Sequence, residues 1–268
     1  MRTVNGPFKR CKLCGAENAQ PRYRLSSGTV FCCPRCDFHF LDHLDGPTGE
    51  PCTTLSDSGR RYIAARIDEG RQLHQLRLQL VAGQRQLHQA LCLDIGAGLG
   101  QFVMLLRQQG ATALGIEPSA LRRAYAAEQF GLDLAAELVD DQVWQSRYGA
   151  AFDLVTLWDV IEHVDCPRTT LAGAVALLKP GGLLCLDTPD RSVRSYRLSQ
   201  LSYRLSGGTL PLFLPGFYSS LRYGHKQIFT RSQLGGLLED LDLRLCAIPL
   251  SSCARRQFRG RMILAAVK

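Results

Sequence analysis

A short apolar run that ends in three alternating glycines, Leu91–Gly100, constrains the fold of this chain most strongly. Its sequence is LCLDIGAGLG, and residues 101–107 that follow are helical in character. The apolar residues suit a buried strand, and glycine at Gly96, Gly98 and Gly100 lets the backbone turn sharply and approach a ligand closely. A strand that turns into a helix places free N–H groups at a helix N-terminus. This is the usual position of a nucleotide-like ligand in an α/β sheet.

Length, charge and hydropathy restrict the class of protein. With 268 residues, 46% of them hydrophobic, the chain can form one substantial domain and a small appendage. A net charge of +8 favours acidic partners, namely phosphorylated substrates, nucleic acid or an anionic membrane surface. Residues 1–10 lack the apolar core of a signal peptide, and no run of about 18 apolar residues is present. We therefore expect a cytoplasmic protein without a transmembrane segment.

Two CxxC pairs near the N-terminus predict a zinc site. Eighteen residues separate the pairs, which suits the two knuckles of a tetrahedral zinc ribbon. The predicted ligands are Cys11, Cys14, Cys33 and Cys36. Cys33 is chosen over Cys32 because it restores the two-residue spacing to Cys36, and an exchange between these two neighbours stays open. Unmetallated thiols and a redox pair are the alternatives. The N-terminal segment around these cysteines is too short to form an independent core. Metal ligation would therefore supply much of the folding free energy of this module.

The rest of the chain alternates strands and helices, which predicts a doubly wound sheet. We assign residues 1–45 to the zinc ribbon, 46–59 to a linker and 60–268 to an α/β domain that begins with a helix over 60–82. After the opening strand, further strands are predicted at Thr112–Glu117, Leu132–Leu138, Phe152–Trp158, Leu183–Asp187, Leu243–Leu250 and Met262–Val267, and helices at Ser119–Gln129, Thr169–Leu178 and Arg231–Leu241. Parallel strands need crossovers, and helices supply them. The expected architecture is a Rossmann-like, mostly parallel, seven-stranded sheet with an antiparallel edge.

The glycine pattern and a downstream acid narrow the ligand. A dinucleotide fingerprint requires glycine where Gln101 stands, so the pattern here is GxGxG and not GxGxxG. Glu117 lies at the end of the second predicted strand of the domain, where a carboxylate can accept both hydroxyls of a ribose. Pro118 and Ser119 then begin the next helix. This arrangement suits any adenosine ligand, and it leaves both nicotinamide cofactors and S-adenosylmethionine (SAM) open.

Four segments together resemble the motif series of class I SAM-dependent methyltransferases. They are DIGAGLG (94–100), GIEPS (115–119), FDLVTLWDVIEHV (152–164) and LKPGG (178–182). The likeness is greatest to the group around the ubiquinone-biosynthesis O-methyltransferases, including members with an N-terminal zinc-binding module. The resemblance implies a SAM site formed by Asp94, Gly96, Gly98, Gly100, Glu117, Pro118, Glu137, Leu138, Trp158 and Asp159. Glu137 and Leu138 would contact adenine, with Asp140 as a rival.

Two histidines are candidates for the general base that an acceptor hydroxyl requires. His163 follows the fourth predicted strand, and His225 lies in a segment similar to a histidine loop of the family. Each could instead have a structural role, with His163 orienting its loop and His225 positioning a lid.

The segment 191–230 is expected to be a basic, aromatic lid. Arg191–Arg231 contains seven basic residues and no acid, with interleaved aromatic residues that include Tyr196, Tyr203, Phe213, Phe217, Tyr218 and Tyr223. We expect it to recognise an anionic acceptor, such as a nucleotide sugar or another phosphorylated metabolite. Alternatively, Leu210–Phe217 could touch a membrane that carries a lipid-linked substrate, or the segment could be a solvated basic loop.

The sequence thus predicts a zinc-containing, SAM-dependent methyltransferase that acts on a small molecule, with oxygen as the acceptor atom. An RNA methyltransferase is the first alternative, supported by the positive charge and the zinc module. Against it, the segment after the fourth strand lacks the motifs for amino-group and cytosine C5 methylation, so nucleic acid is not the expected partner. A non-enzymatic interaction protein on a methyltransferase scaffold is the second alternative. The sequence does not predict the oligomeric state.

Overall fold

The computed structural model describes residues 7–46, 56–250 and 252–268, which form ten strands and eight α-helices. The strands are β1 (Gln20–Leu25), β2 (Gly28–Cys32), β3 (His39–Leu41), β4 (Leu91–Ile95), β5 (Thr112–Ile116), β6 (Phe152–Trp158), β7 (Leu178–Pro189), β8 (Gln227–Ile228), β9 (Arg244–Cys246) and β10 (Arg261–Val267). The helices are α1 (Asp57–Ala82), α2 (Gln101–Gln108), α3 (Ala120–Phe130), α4 (Gln142–Tyr148), α5 (Pro167–Leu177), α6 (Arg194–Leu205), α7 (Arg231–Glu239) and α8 (Ser252–Gln257). None of these helices is long and apolar enough to cross a bilayer.

The central sheet has six strands in the order β5-β4-β6-β7-β10-β9. Strands β4 to β7 are parallel, and β10 is antiparallel to both β7 and β9. Neighbouring residues of β6 enter different cores: Val155 and Leu157 lie in one buried cluster, and Leu154 and Trp158 lie in the other. A sheet covered on both faces explains why its strands are almost wholly apolar. The predicted doubly wound α/β fold with an antiparallel edge is confirmed.

The predicted strand Leu132–Leu138 is reduced to a single bridge between Ala135 and Ile116. Two backbone hydrogen bonds hold it at the sheet edge, from Glu117 N to Ala135 O and from Ala135 N to Gly115 O, each 2.9 Å. Ala, Asp and Glu favour strands weakly, so this segment pairs only at its centre. The described sheet therefore has six strands and one bridge where the sequence predicts seven strands.

The N-terminal strands share a second sheet with the α/β domain. Its order is β1-β2-β3-β8, and β8 is supplied by the segment between α6 and α7. The Phe38 and Phe229 rings pack with their centroids 4.9 Å apart across this junction. Residues 47–55 of the predicted linker lie outside the described residues, and α1 begins at Asp57. The N-terminal module is thus joined to the larger domain by backbone pairing and by packing.

Candidate functional site

The turn after β4 is tied directly to the acid at the end of β5. Gly98 N donates to Glu117 Oε2 and Ser119 N donates to Glu117 Oε1, each at 2.8 Å. Gly96 and Gly98 have φ of +70° and +58°, which disfavours any residue with a Cβ. A Cβ on Gly96 would lie 2.4 Å from the Val160 side chain, whereas a Cβ on Gly98 would meet nothing within 4 Å. The backbone at Gly98 is therefore open to a ligand.

A cavity of about 550 Å³ lies beside this turn, beyond the carboxyl ends of the parallel strands. Its lining includes these residues predicted for the cofactor: Asp94, Gly96, Gly98, Glu117, Pro118, Leu138, Trp158 and Asp159. Gly100 is not in the lining; it is the N-cap of α2, and a Cβ there would meet Leu132. Glu137 is not in the lining either, but its predicted rival Asp140 is. In the part of the cavity where the sequence predicts the adenine contact, the lining therefore includes Leu138 and Asp140.

Two buried carboxyl groups face this cavity. Burial raises the pKa of Asp94 to about 7, and Asp94 Oδ1 accepts a hydrogen bond from Thr156 Oγ1 at 2.6 Å. Burial also raises the pKa of Glu117, against the opposing charge of Arg122. A desolvated carboxylate is stabilised by a nearby positive charge. A cationic ligand in this cavity would therefore stabilise the charged form of both carboxyl groups.

An arginine that the sequence reasoning missed crosses the cavity floor. Arg77, on α1, is 3% exposed and donates from Nη2 to Asp187 Oδ2 at 2.8 Å and to Asp159 Oδ2 at 2.6 Å. Arg261 forms ion pairs with the same two carboxylates. Asp159 itself has φ of +58°, which this network holds in place. The signals available in the sequence were an arginine that is one of five in the predicted helix, and an acid at the end of the strand predicted at Leu183–Asp187.

The two candidate bases lie next to each other, but only one of them lines the cavity. The rings of His163 and His225 have their centroids 4.7 Å apart, and His163 is part of the cavity wall. Burial, followed by the charge of His225, lowers the pKa of His163 to about 4, so its ring is neutral at pH 7. His163 Nδ1 is buried and has no hydrogen-bond partner. His225, whose pKa burial also lowers, is not in the cavity lining.

The N-terminal module contributes to the same cavity. Asp45 and Gly46 line it together with Tyr223, whose backbone N donates to Asp45 Oδ2 at 2.8 Å. Lys226 Nζ donates to the same oxygen at 2.7 Å. Asp165 accepts from the backbone N of Asp45 at 3.0 Å. Of the insertion 191–230, Tyr223 is the residue in the cavity lining.

The four cysteines predicted to bind zinc converge. Their Sγ atoms all lie within 4.8 Å of one another, and the Cys11–Cys36 and Cys14–Cys33 pairs are 3.6 Å apart. Zn–S bonds of about 2.3 Å in a tetrahedron give S···S distances of about 3.8 Å, so the set fits a zinc ion. Cys32 is outside this set, and its Sγ contacts Asp37 Oδ1 at 3.4 Å.

A glycine-rich turn tied to an acid at the end of the neighbouring parallel strand is the arrangement expected where an α/β protein binds an adenosyl ligand. The family profile described as a methyltransferase domain matches residues 63–248. The chain therefore belongs to the methyltransferase domain family, in the class I SAM-dependent group.

Relatives and solved structures agree with this assignment. The ubiquinone biosynthesis O-methyltransferase of Methylococcus capsulatus is 32% identical over 127 residues, which is 46% of this chain and 54% of the relative. The enzyme of the same name from Thiobacillus denitrificans is 33% identical over 132 residues, which is 48% of this chain and 56% of the relative. The chain thus spans about half the length of these relatives.

Solved structures share the fold at low sequence identity. Magnesium protoporphyrin IX methyltransferase from Synechocystis, with bound S-adenosylhomocysteine (SAH), has a TM-score of 0.52 and 17% identity, covering 82% of this chain and 90% of that one. A SAM-dependent methyltransferase from Thermotoga maritima has a TM-score of 0.51 and 17% identity, covering 79% of this chain and 99% of that one. These similarities confirm the class I methyltransferase fold.

Proposed function

We propose that this protein transfers a methyl group from SAM to a hydroxyl oxygen of a small molecule. The carrying observation is that a single cavity is lined both by the Gly98–Glu117 arrangement and by the side chain of His163. Oxygen as the acceptor atom is supported by the relatives, which are named as O-methyltransferases. SAM, when bound, supplies a methyl group already activated on a sulfonium, so alignment and desolvation are the main tasks of the protein.

The residues of the chain have distinct roles in this proposal. Glu117 would accept the ribose hydroxyls, and Asp94 would accept from the ammonium of the methionine part. Arg77, held by Asp187 and Asp159, would bind the methionine carboxylate. Trp158 would complete the wall of the cofactor site.

His163 would act as the general base. Its ring is neutral at pH 7, so one ring nitrogen has a lone pair that could accept the proton of an acceptor hydroxyl. His225 would orient the His163 ring from behind, which makes it a positioning residue. This role differs from the direct catalytic role that the sequence suggests for His225.

The finer identity of the acceptor is also a proposal. Arg222 stacks on the ring of Tyr223 at 5.6 Å and is the insertion's basic residue adjacent to the cavity lining. Arg191 and Lys226, by contrast, form ion pairs with Asp37 and Asp45. We propose that an anionic acceptor, including a sugar phosphate, would approach past Arg222 and Tyr223. A zinc ion in the four-cysteine site and a cytoplasmic location complete the proposal.

The test is transfer of radiolabelled methyl from SAM to a panel of hydroxylated compounds, with neutral phenols and nucleotide sugars as separate groups. His163→Asn should lower turnover by about a hundredfold, within the usual range for loss of a general base, and leave SAH affinity near that of the parent. The exposed His88→Asn is the control. Unchanged turnover in His163→Asn would remove the base assignment, and labelling of no hydroxyl group would remove O-methylation.

A further inference from the structure

Helix α6 has an apolar stripe on the side that faces away from the protein. Leu198, Leu201 and Leu205 lie at i, i+3 and i+7, and their exposures are 53%, 53% and 78%. The opposite side of the helix carries the buried Tyr196 and Ser199. A surface helix needs only one apolar face to pack on its own protein. The outer leucine stripe therefore has no packing role among the described residues.

The loop after α6 enlarges this apolar surface. Leu210, Leu212 and Phe213 are 52%, 40% and 55% exposed. Two hydrogen bonds hold the loop along the helix: Phe213 N donates to Ser199 Oγ and Ser202 Oγ donates to Leu210 O, each at 3.0 Å. Most of the large exposed hydrophobic residues among those described lie in this one stretch of the chain. An apolar surface concentrated in this way indicates a contact with an apolar phase or partner.

Basic residues border the stripe and continue into a groove. Arg194, Arg197 and Arg204 are exposed on α6, and none forms an ion pair with a described residue. A groove of about 780 Å³ separates α6 from β1 of the N-terminal module, and Arg22, Arg24 and Arg204 are in its lining, with no acidic residue.

The walls of the groove are held together by specific bonds. Arg24 N donates to the Tyr203 hydroxyl at 3.0 Å, and Gln200 Nε2 donates to the Tyr23 hydroxyl at 2.9 Å. The Tyr23 and Tyr203 rings pack edge to face at 5.2 Å. These contacts fix the shape of the groove, so its arginines can bind an anion without rearrangement of the backbone.

We propose that the outer face of α6 and this groove dock on an anionic phospholipid bilayer. Leu198, Leu201 and Leu205 would enter the boundary between headgroups and acyl chains, and Arg22, Arg24 and Arg204 would bind lipid phosphates. An interfacial helix combines an apolar stripe with flanking basic residues in this way.

Charge and shape argue for a bilayer over other occupants. A second copy of the chain packed on this face would bring two sets of arginines together, which like-charge repulsion opposes. A free anion would explain the groove and leave the exposed leucines without a role. A convex leucine stripe also offers no pocket for a small apolar molecule.

Flotation of the 268-residue, zinc-loaded chain with lipid vesicles tests the proposal. The chain should float with vesicles of phosphatidylcholine and phosphatidylglycerol in equal proportion, and much less with phosphatidylcholine alone. Replacing all three stripe leucines by glutamine should weaken binding by more than about tenfold. Arg22→Gln/Arg24→Gln should weaken it about fivefold per charge removed, from the roughly 1 kcal/mol that each basic residue gains near an anionic surface.

Control variants at other exposed positions distinguish the loss of this surface from a general loss of charge or apolar area. Val143→Gln replaces an exposed aliphatic residue on α4, and Arg147→Gln/Arg244→Gln removes the same charge from other exposed positions. Both should bind vesicles like the parent, and thermal unfolding should show that every variant is folded. The proposal is overturned if the parent does not float with anionic vesicles, or if the charge control loses as much binding as Arg22→Gln/Arg24→Gln.

Two further outcomes would assign the surface differently. Binding of inorganic phosphate that depends on Arg22 and Arg24, without vesicle binding, would identify a site for free anions. A dimer that the leucine variant converts to a monomer, again without vesicle binding, would identify the stripe as a contact between copies. Either result would overturn the bilayer assignment.

Discussion

Replacing Glu117 by glutamine should weaken SAH binding about a hundredfold, and the magnitude follows from the geometry. The Glu117 side chain is buried, and each of its carboxylate oxygens already accepts one backbone N–H at 2.8 Å, from Gly98 and Ser119. The remaining lone pairs of both oxygens are available for the two ribose hydroxyls. Glutamine keeps one acceptor oxygen, loses the charge and turns an NH2 group towards one of these backbone donors.

The expected loss combines two charge-assisted hydrogen bonds, worth about 1.5–3 kcal/mol each, with about 1 kcal/mol regained by the neutral amide. A net loss of about 3 kcal/mol corresponds to roughly a hundredfold in Kd. The glutamine NH2 group, facing a backbone N–H group, should also lower the free energy of unfolding by about 1–2 kcal/mol. Titration calorimetry should therefore be done well below the unfolding transition. Glu239→Gln, at an exposed position on α7, is the control. A Kd for Glu117→Gln within about threefold of the parent, a difference of under 1 kcal/mol, would refute the ribose assignment.

Other predictions concern the metal site, the pH dependence and the buried ion network. Cys33→Ala should lose zinc in elemental analysis and unfold at lower temperature, whereas Cys32→Ala should keep about one equivalent of zinc; equal zinc loss in both would contradict the ligand set. Burial, followed by the charge of Asp159, raises the pKa of Glu162 from 4.5 to about 8. Between pH 4.5 and 8 the folded state keeps a proton on Glu162 that the unfolded state has lost, so the free energy of unfolding should fall as the pH rises through this range. In denaturant titrations, Glu162→Gln should make this fall shallower. Asp187→Asn should cost about 3–5 kcal/mol in chemical unfolding, because it leaves the buried Arg77 guanidinium without its main partner; a loss below about 1 kcal/mol would show that Asp159 alone suffices.

The sequence predicted the parts of the fold that depend on local pattern. Strand β6 was predicted with its observed bounds, because seven consecutive residues of a strand buried on both faces are almost all apolar. The glycine turn and Glu117 were predicted together as a site, since the carboxyl ends of adjacent parallel strands meet at one edge of the sheet. That edge is where the cavity lies.

The missed features depend on contacts between distant parts of the chain. Arg77 stands 110 residues before its partner Asp187, and no local pattern distinguishes it from a solvated helical arginine. Helix α6 was not predicted, because its leucine stripe faces solvent and its buried residues, Tyr196 and Ser199, do not form an ordinary apolar stripe.

The pairing of β3 with β8 could not be predicted from local pattern either. β8 has only two residues, and they lie 186 residues or more after those of β3. This short pairing has a functional consequence, because it brings Asp45 of the N-terminal module into the cavity lining beside Tyr223. Metal loading of the four cysteines is therefore expected to affect the cavity as well as the stability of the N-terminal strands.

The most direct test of the central claim is titration calorimetry of the purified chain with SAM, beside a parallel titration with NAD. The cavity beside Gly98 and Glu117 and its buried carboxylates predict one molecule of SAM bound per chain, with little or no heat from NAD. Absence of SAM binding at high micromolar concentration, or tighter binding of NAD than of SAM, would contradict the assignment of this cavity to a methyltransferase.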